Sequence, residues 1–169
     1  MYEIKQEQQE DWWDVESLFD LSFAPGREAL SSYRLRDGVS CVEQLCLVAR
    51  DSDGVLGGAI RFWPIKIGDN EDSALLLGPI AVHPTRQGEG LGRELMRMSL
   101  DKALSLGWNR IILVGDEPYY ARFGFKKADF LQYPPPTNPD RLLYLGLGGN
   151  AFSQVTGLIK SAKNVAISP

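Results

Sequence analysis

Histidine and cysteine are almost missing from this chain, with one of the first and two of the second. Three such side chains cannot furnish a four-ligand Cys/His zinc site, and no metal is expected. Cys41 and Cys46 read as free thiols in a reducing compartment. Long apolar runs are missing too. None approaches the ~20 residues that span a bilayer, and no basic-then-apolar leader opens the chain. A cytoplasmic protein without a membrane partner is expected. Positive charge is in deficit: the net charge is −4 and the sequence pI about 5.1, which argues against a nucleic-acid partner. No internal repeat is present. What remains is a chain of 169 residues, 44% hydrophobic, long enough for one domain over 1–169 with its own core.

Two nucleotide motifs are also incomplete. No Gly-Lys-Ser/Thr exists, so the Walker phosphate loop fails. Gly88 and Gly90 begin a dinucleotide pattern, but Arg93 stands where its third glycine belongs. Asp116 falls near the place of a ribose-binding acid, so that reading is weakened without being eliminated.

What is there centres on residues 75–125. An apolar run over 75–84 ends at Pro84, too short for an ordinary helix, and reads as a buried strand. Gly88, Gly90 and Gly92 follow. Leu91, Leu95, Met98, Leu100 and Leu104 then recur at helical spacing until Gly107 stops the helix. Residues 111–114 read as a second buried strand, completing a βαβ unit. The first N–H groups of a helix lack partners and the dipole there is positive. Glycines at that place let phosphates approach the backbone, and Arg86 and Arg93 add charge. A structural role alone explains three glycines in five residues poorly, since each weakens a helix by up to ~1 kcal/mol relative to Ala.

The run Gln87-Gly88-Glu89-Gly90-Leu91-Gly92 fits a Q/R-x-x-G-x-G/A pattern. Here the chain resembles the GNAT superfamily of N-acetyltransferases, in which that loop grips the pyrophosphate of acetyl-coenzyme A. Two companions in family order strengthen the resemblance: Ala81-Val82-His83-Pro84 at the strand end and Tyr120-Ala121-Arg122-Phe123-Gly124-Phe125 later. The resemblance covers roughly residues 2–147. It implies a mixed α/β fold: a central, mostly antiparallel mixed sheet, helices on both faces, and a splayed pair of parallel strands. It also implies acetyl-CoA as cosubstrate, bound by Gln87, Gly88, Glu89, Gly90, Leu91, Gly92 and Arg93 and by the backbone of Ile80, Ala81 and Val82.

The remaining chain fits around this unit. Residues 2–5 read as a first strand. Residues 7–21 carry Trp12, Val15, Leu18 and Phe19 at helical spacing, and 27–36 read as a second helix. Residues 45–50 and 55–63 bracket Asp51-Ser52-Asp53-Gly54, a hairpin signal. Gly57 and Gly58 suggest a bulge or a close approach. Residues 133–139 form a stiff Pro-rich loop and 142–147 another strand. The tail, 148–169, reads as an arm beyond a core of 2–147, with 157–165 either an edge strand or packed as that arm.

An acetyl thioester meeting an amine needs the donor anchored, the carbonyl polarised, the amine deprotonated and the thiolate stabilised. By the resemblance, the strand ending at Val82 polarises and Tyr120 protonates the leaving thiolate. At reference pKa values of ~10 and ~8.5 that transfer is uphill by roughly 2 kcal/mol. The base has no clear owner among His83, Glu28 and Glu43. Asp116 reads as a helix cap. Glu28, Tyr33, Arg34 and Trp63 are the candidate acceptor contacts, with Arg27 and Arg36 also near. A helix face bearing Arg suits a carboxylate, and Trp12, Trp13 and Trp63 suit the wall of a compact pocket. The expected activity is transfer of acetyl from acetyl-CoA to a primary amine, a small molecule before a peptide. The alternative is a non-catalytic acyl-CoA sensor on the same fold. A homodimer is compatible with the sequence.

Overall fold

The computed structural model describes residues 1–23 and 31–163. In chain order they form β1 (Glu3–Gln6), α1 (Trp12–Ser22), α2 (Ser31–Arg36), β2 (Leu47–Arg50), β3 (Leu56–Ile67), β4 (Asp72–Val82), α3 (Leu91–Ser105), β5 (Arg110–Val114), α4 (Glu117–Tyr120), β6 (Lys126–Lys127), β7 (Leu131–Gln132), β8 (Leu142–Gly146) and β9 (Gly157–Ser161). One mixed sheet runs β1-β2-β3-β4-β5-β8-β6. Every neighbouring pair along it is antiparallel except β4 and β5, which run parallel across α3.

Alternation along β3 and β4 assigns the two faces. Ile60, Phe62, Leu75 and Leu77 join Leu91, Leu95 and Met96 of α3 in one core. Ile65, Ile67, Ala74 and Leu76 lie on the opposite face with Leu35 of α2. There Val15, Leu18 and Phe19 of α1 cover Ala59 and Ala81. Helices therefore cover both faces, as the sequence implies. Gly58 records how closely α3 approaches β3, since a Cβ there would meet Leu95 Cδ1 at 2.9 Å.

Three expectations change in detail. The first helix begins at Trp12, after a single tight turn in which Asp11 Oδ2 accepts from Gln8 N–H at 2.8 Å. Trp12 and Trp13 are exposed and stack edge-to-face on each other, and neither lines the cavities on the two sides of the β4–β5 split. The second expected helix is described only from Ser31 onward. The third change is in β3, which runs past Trp63 through Pro64. Phe62 C=O accepts from Val42 N–H, on the edge away from β4. Two residues on, Pro64 turns its missing N–H to that same edge, where neither β2 nor β9 pairs and no ladder bond is lost.

Within the tail, Gly157–Ser161 form a strand. β9 pairs antiparallel with Ile65–Ile67 of β3, beyond the end of β2, and parallel with β7. Ile159 is fully buried there, so the packed core extends beyond residue 147.

Candidate active site

The parallel pair is short. β4 and β5 pair only at Leu75 with Ile111 and Leu76 with Ile112. Beyond that, β5 stays with β8 through Val114 while β4 follows β3 to Val82. The parting coincides with a bulge. Gly78 and Pro79 together oppose Arg61, and the register on β3 slips by one between Ile60 and Phe62. A bulge bends its strand and increases local twist, which carries β4 away from β5.

The open edge of β4 has defined donors and acceptors. His83 N–H donates to Gly57 C=O at 2.8 Å. By the alternation of an antiparallel ladder, Ala81 is then bonded to β3, and Ile80 and Val82 turn their N–H and C=O into the split. Gln87 Nε2 lies 3.5 Å from Val82 C=O, consistent with that orientation. Of the three strand residues expected to hold pantetheine, Ile80 and Val82 offer backbone, while Ala81 packs its side chain under α1.

On the α3 side the split opens into a groove of about 750 Å³. Its lining contains every expected loop residue, Gln87, Gly88, Glu89, Gly90, Leu91, Gly92 and Arg93, together with Ile80, Ala81 and Val82. The three glycines serve different ends. Gly88 and Gly90 have φ of +87° and +80°, a backbone that L-residues rarely adopt, and a Cβ on either would project into open space. Gly90 is the N-cap of α3. Gly92 lies inside the first turn, where a Cβ would sit 3.3 Å from the Tyr119 hydroxyl. The unpaired N–H groups of residues 91–93 thus face the groove at the positive end of a helix of 15 residues.

The cations divide differently from expectation. Arg86 is already engaged: Nη2 donates to Asp51 Oδ2 at 2.6 Å, and Nη1 lies 3.3 Å from the Tyr2 hydroxyl. Arg93 is exposed on the groove. Across from it stands Arg122, stacked 4.5 Å over the Tyr119 ring with Nε donating to Tyr119 C=O. Arg122 sits inside the quoted Tyr-Ala-Arg-Phe-Gly-Phe run, yet nothing in the residue pattern marks it as lining this groove.

Tyr120 stands at the fork. Its ring lies against Gly115, where a Cβ would come within 2.5 Å of Tyr120 Cε2. Its edge contacts are Tyr119 and Phe125. Burial pushes its phenol up to about 12, with Tyr119 and Asp116 adding to the effect. Asp116 occupies the N-cap of α4, but its side chain makes no capping bond; its C=O accepts from Tyr119 and Tyr120 N–H. His83 lines neither cavity. Its Nδ1 accepts from Thr85 N–H and lies 2.8 Å from Thr85 Oγ1, which is the capping role.

On the α2 side lies a smaller cavity of about 110 Å³. Tyr33 and Arg36 line it with Leu77, Gly78, Ile80 and Tyr120. Trp63 stands behind the wall, its Nε1–H donating to Gly78 C=O at 2.8 Å. Arg34 points elsewhere, with Nη2 donating to Pro135 C=O. Glu28 and Arg27 lie outside the described residues. Arg36, rather than Arg34, is the arginine brought to the cleft. Among the described residues no group of three or more His, Cys, Asp or Glu gathers as a metal site, and no helix is long and apolar enough to cross a membrane.

Comparison with known proteins gives this geometry its family. The sequence pattern of the acetyltransferase (GNAT) domain matches residues 43–127. The N-acetyltransferase YhbS of Escherichia coli (strain K12), named as uncharacterized, is 29% identical over 148 residues, covering 86% of this chain and 87% of YhbS. YjhQ of the same strain, also an uncharacterized N-acetyltransferase by name, is 31% identical over 126 residues, covering 73% of this chain and 69% of YjhQ. The crystal structure of YhbS in complex with CoA superimposes with a TM-score of 0.83, over 95% of this chain and 89% of that one. A GNAT acetyltransferase from Brucella melitensis in complex with acetyl-CoA superimposes with a TM-score of 0.65 at 30% identity, over 88% and 89% of the two chains. The matched half of the sequence is the half that parts the strands and turns the glycines into the groove, and the chain belongs to the GNAT family of acyl-CoA-dependent N-acetyltransferases.

Proposed function

We propose that this chain moves an acetyl group from acetyl-CoA, held in the α3 groove, to the primary amine of a small molecule held in the α2 pocket. One observation carries the reading: Ile80 and Tyr120 line both cavities. The split lets donor and acceptor enter from opposite faces of the sheet and meet at those two residues. The pyrophosphate rests on the N–H groups at the head of α3, with Arg93 and Arg122 beside it. The pantetheine amides pair with the open backbone of Ile80 and Val82, and a free N–H on that edge polarises the thioester oxygen as charge develops there.

The amine nitrogen forms a bond to the acyl carbon, and the carbon–sulfur bond breaks. The amine releases a proton as that bond forms; among the described residues the α2 pocket's lining holds no carboxylate or imidazole, and Glu28 lies outside them. The thiolate meets Tyr120. With the phenol at about 12 and a thiol near ~8.5, full proton transfer is uphill by ~5 kcal/mol. Tyr120 therefore stabilises the departing sulfur as a hydrogen-bond donor, without giving up its proton ahead of bond cleavage.

A small acceptor is favoured over a peptide because the pocket is compact, about 110 Å³, with Arg36 and Tyr33 in its lining. The test is release of free thiol from acetyl-CoA with a panel of amines and peptides, products read by intact mass. Acetylation of small amines is expected. Acetylation of long peptides alone overturns the acceptor assignment. Tight acetyl-CoA binding with no turnover across the panel replaces the enzyme by a sensor.

A further inference from the structure

Two buried guanidinium groups lie on the α1/α2 face of the sheet, and they are treated differently. Arg61 is 7% exposed and fully engaged: Nε and Nη2 donate to Glu7, and Nη1 donates to Glu16. Arg36 is 9% exposed, and among the described residues no carboxylate pairs with it. Its Nε is buried without a hydrogen-bond partner. The guanidinium carbon lies 4.1 Å from the Tyr33 ring centroid and 5.3 Å from that of Trp63. Such stacking fixes the plane of the fork; Tyr33 also hydrogen-bonds the group, and Nε is the edge left without a partner. A second orphan stands near. The Tyr133 hydroxyl is the other buried side-chain polar atom without a partner among the described residues, and it is close enough to Arg36 to feel its charge.

A cation this buried is costly unless something compensates it. Arg61 shows that this face supplies carboxylates where the fold needs them. Among the described residues Arg36 has none, and it lines the cavity that also holds Ile80 and Tyr120. Its Nη2 lies beside Gly78, 3.7 Å from where a Cβ would be, at the point where β4 leaves β5. The missing counter-charge is therefore expected from the ligand.

We infer that the acceptor is a small aminocarboxylate, whose carboxylate docks on the Arg36 guanidinium while its amine faces the fork at Ile80 and Tyr120. This rests on the acetyltransferase reading of the same cleft and narrows it. A planar, two-pronged donor matches a carboxylate in geometry as well as charge. Tyr33 and Trp63 hold the fork from behind. The size of the cavity limits the acceptor to a single amino-acid-like molecule.

The test offers free α-, β- and γ-amino acids with acetyl-CoA, each beside its carboxamide and its decarboxylated amine. In the unaltered protein at least one acid is expected to exceed its two analogues in kcat/KM by on the order of 10², the scale of a lost hydrogen bond to a charged group. Arg36→Gln is expected to erase that preference, raising KM for the acid far more than KM for its decarboxylated amine. Arg36→Lys, which keeps charge and loses the fork, is expected to fall between. Amides and amines accepted as well as acids by the unaltered protein overturn the inference and leave the acetyltransferase assignment standing. If neither series is acetylated, the same acids are titrated calorimetrically into the protein–CoA complex. Binding that Arg36→Gln abolishes upholds the carboxylate dock while the turnover reading fails. Binding by no acid overturns the dock.

Discussion

Replacing Tyr120 by Phe removes one oxygen and leaves every ring contact in place. The ring still lies on Gly115 and keeps its edges toward Tyr119 and Phe125. Among the described residues the hydroxyl has no hydrogen-bond partner in the resting protein, so its loss leaves no partner unpaired and thermal stability is expected to hold. The cost falls on the step in which sulfur becomes anionic. A hydrogen bond to a charged group contributes ~1.5–3 kcal/mol, and ~2.7 kcal/mol corresponds to ~10² in rate. The expected outcome is a fall of about 10² in kcat with unchanged affinity for acetyl-CoA. Thiol release at saturating amine gives the first quantity and calorimetry the second. The pH dependence adds a second check. A phenol at about 12 stays protonated throughout the assay range, so the ratio of parent to variant rates is expected to be constant from about pH 6 to about pH 10. A variant that turns over at the parent's rate reduces Tyr120 to packing. A ratio that decays with a midpoint near pH 9 refutes the argument that burial keeps the phenol protonated.

Three further outcomes follow from the same geometry. Gly90→Glu places a side chain and a negative charge into the groove at a left-handed position; a folded variant is expected to lose acetyl-CoA affinity by calorimetry, and unchanged affinity moves the phosphate site elsewhere. Gly115→Ala drives a Cβ to 2.5 Å from Tyr120 Cε2 and 2.9 Å from Leu113 Cδ1. Overpacking of this kind costs ~1–3 kcal/mol, so both the thermal midpoint and kcat should fall while affinity for acetyl-CoA is retained. Asp11 supplies a pH signature. Burial raises its carboxyl, but the Gln8 N–H and the Arg50 guanidinium outweigh burial and hold it below the ordinary carboxylate value. Its stabilisation is present above the unfolded value of ~3.9 and is lost as pH falls through the folded value. The stability gap between parent and Asp11→Asn in urea titrations should therefore be full at pH 6 and close toward pH 2.

The βαβ unit and the glycine turn were legible because their signals are local. Period, strand length and three glycines at a helix head lie within one stretch of chain. Tyr120 was reached through a short motif in fixed order. Other features depend on distant partners and leave no local mark. Arg34 and Arg36 look equivalent in sequence, and only the placement of α2 over Trp63 and Gly78 turns one inward. Arg86 looked like a phosphate cation until Asp51, 35 residues away, claimed it. β6 and β7 are two residues each, too short for any period. Pro64 argued for ending a strand that in fact continues, because its missing N–H meets an edge with no neighbour.

The position of β9 bears on how this protein is made. α2, which carries Arg36, anchors Leu35 in the cluster that contains Ile159. The far half of β3 has its outer edge covered by β9 alone among the described strands. A chain emerging from the ribosome can therefore assemble the donor half early, since β4, α3, β5 and α4 are contiguous. The acceptor half waits for a segment nearly a hundred residues behind the strand it completes. Until then Ile65–Ile67 is an open β-edge beside unburied apolar surface, the kind of template that recruits other chains. Loss of residues 157–163 is thus expected to show first as aggregation during synthesis, and in any soluble remainder as acetyl-CoA binding that outlives acceptor binding.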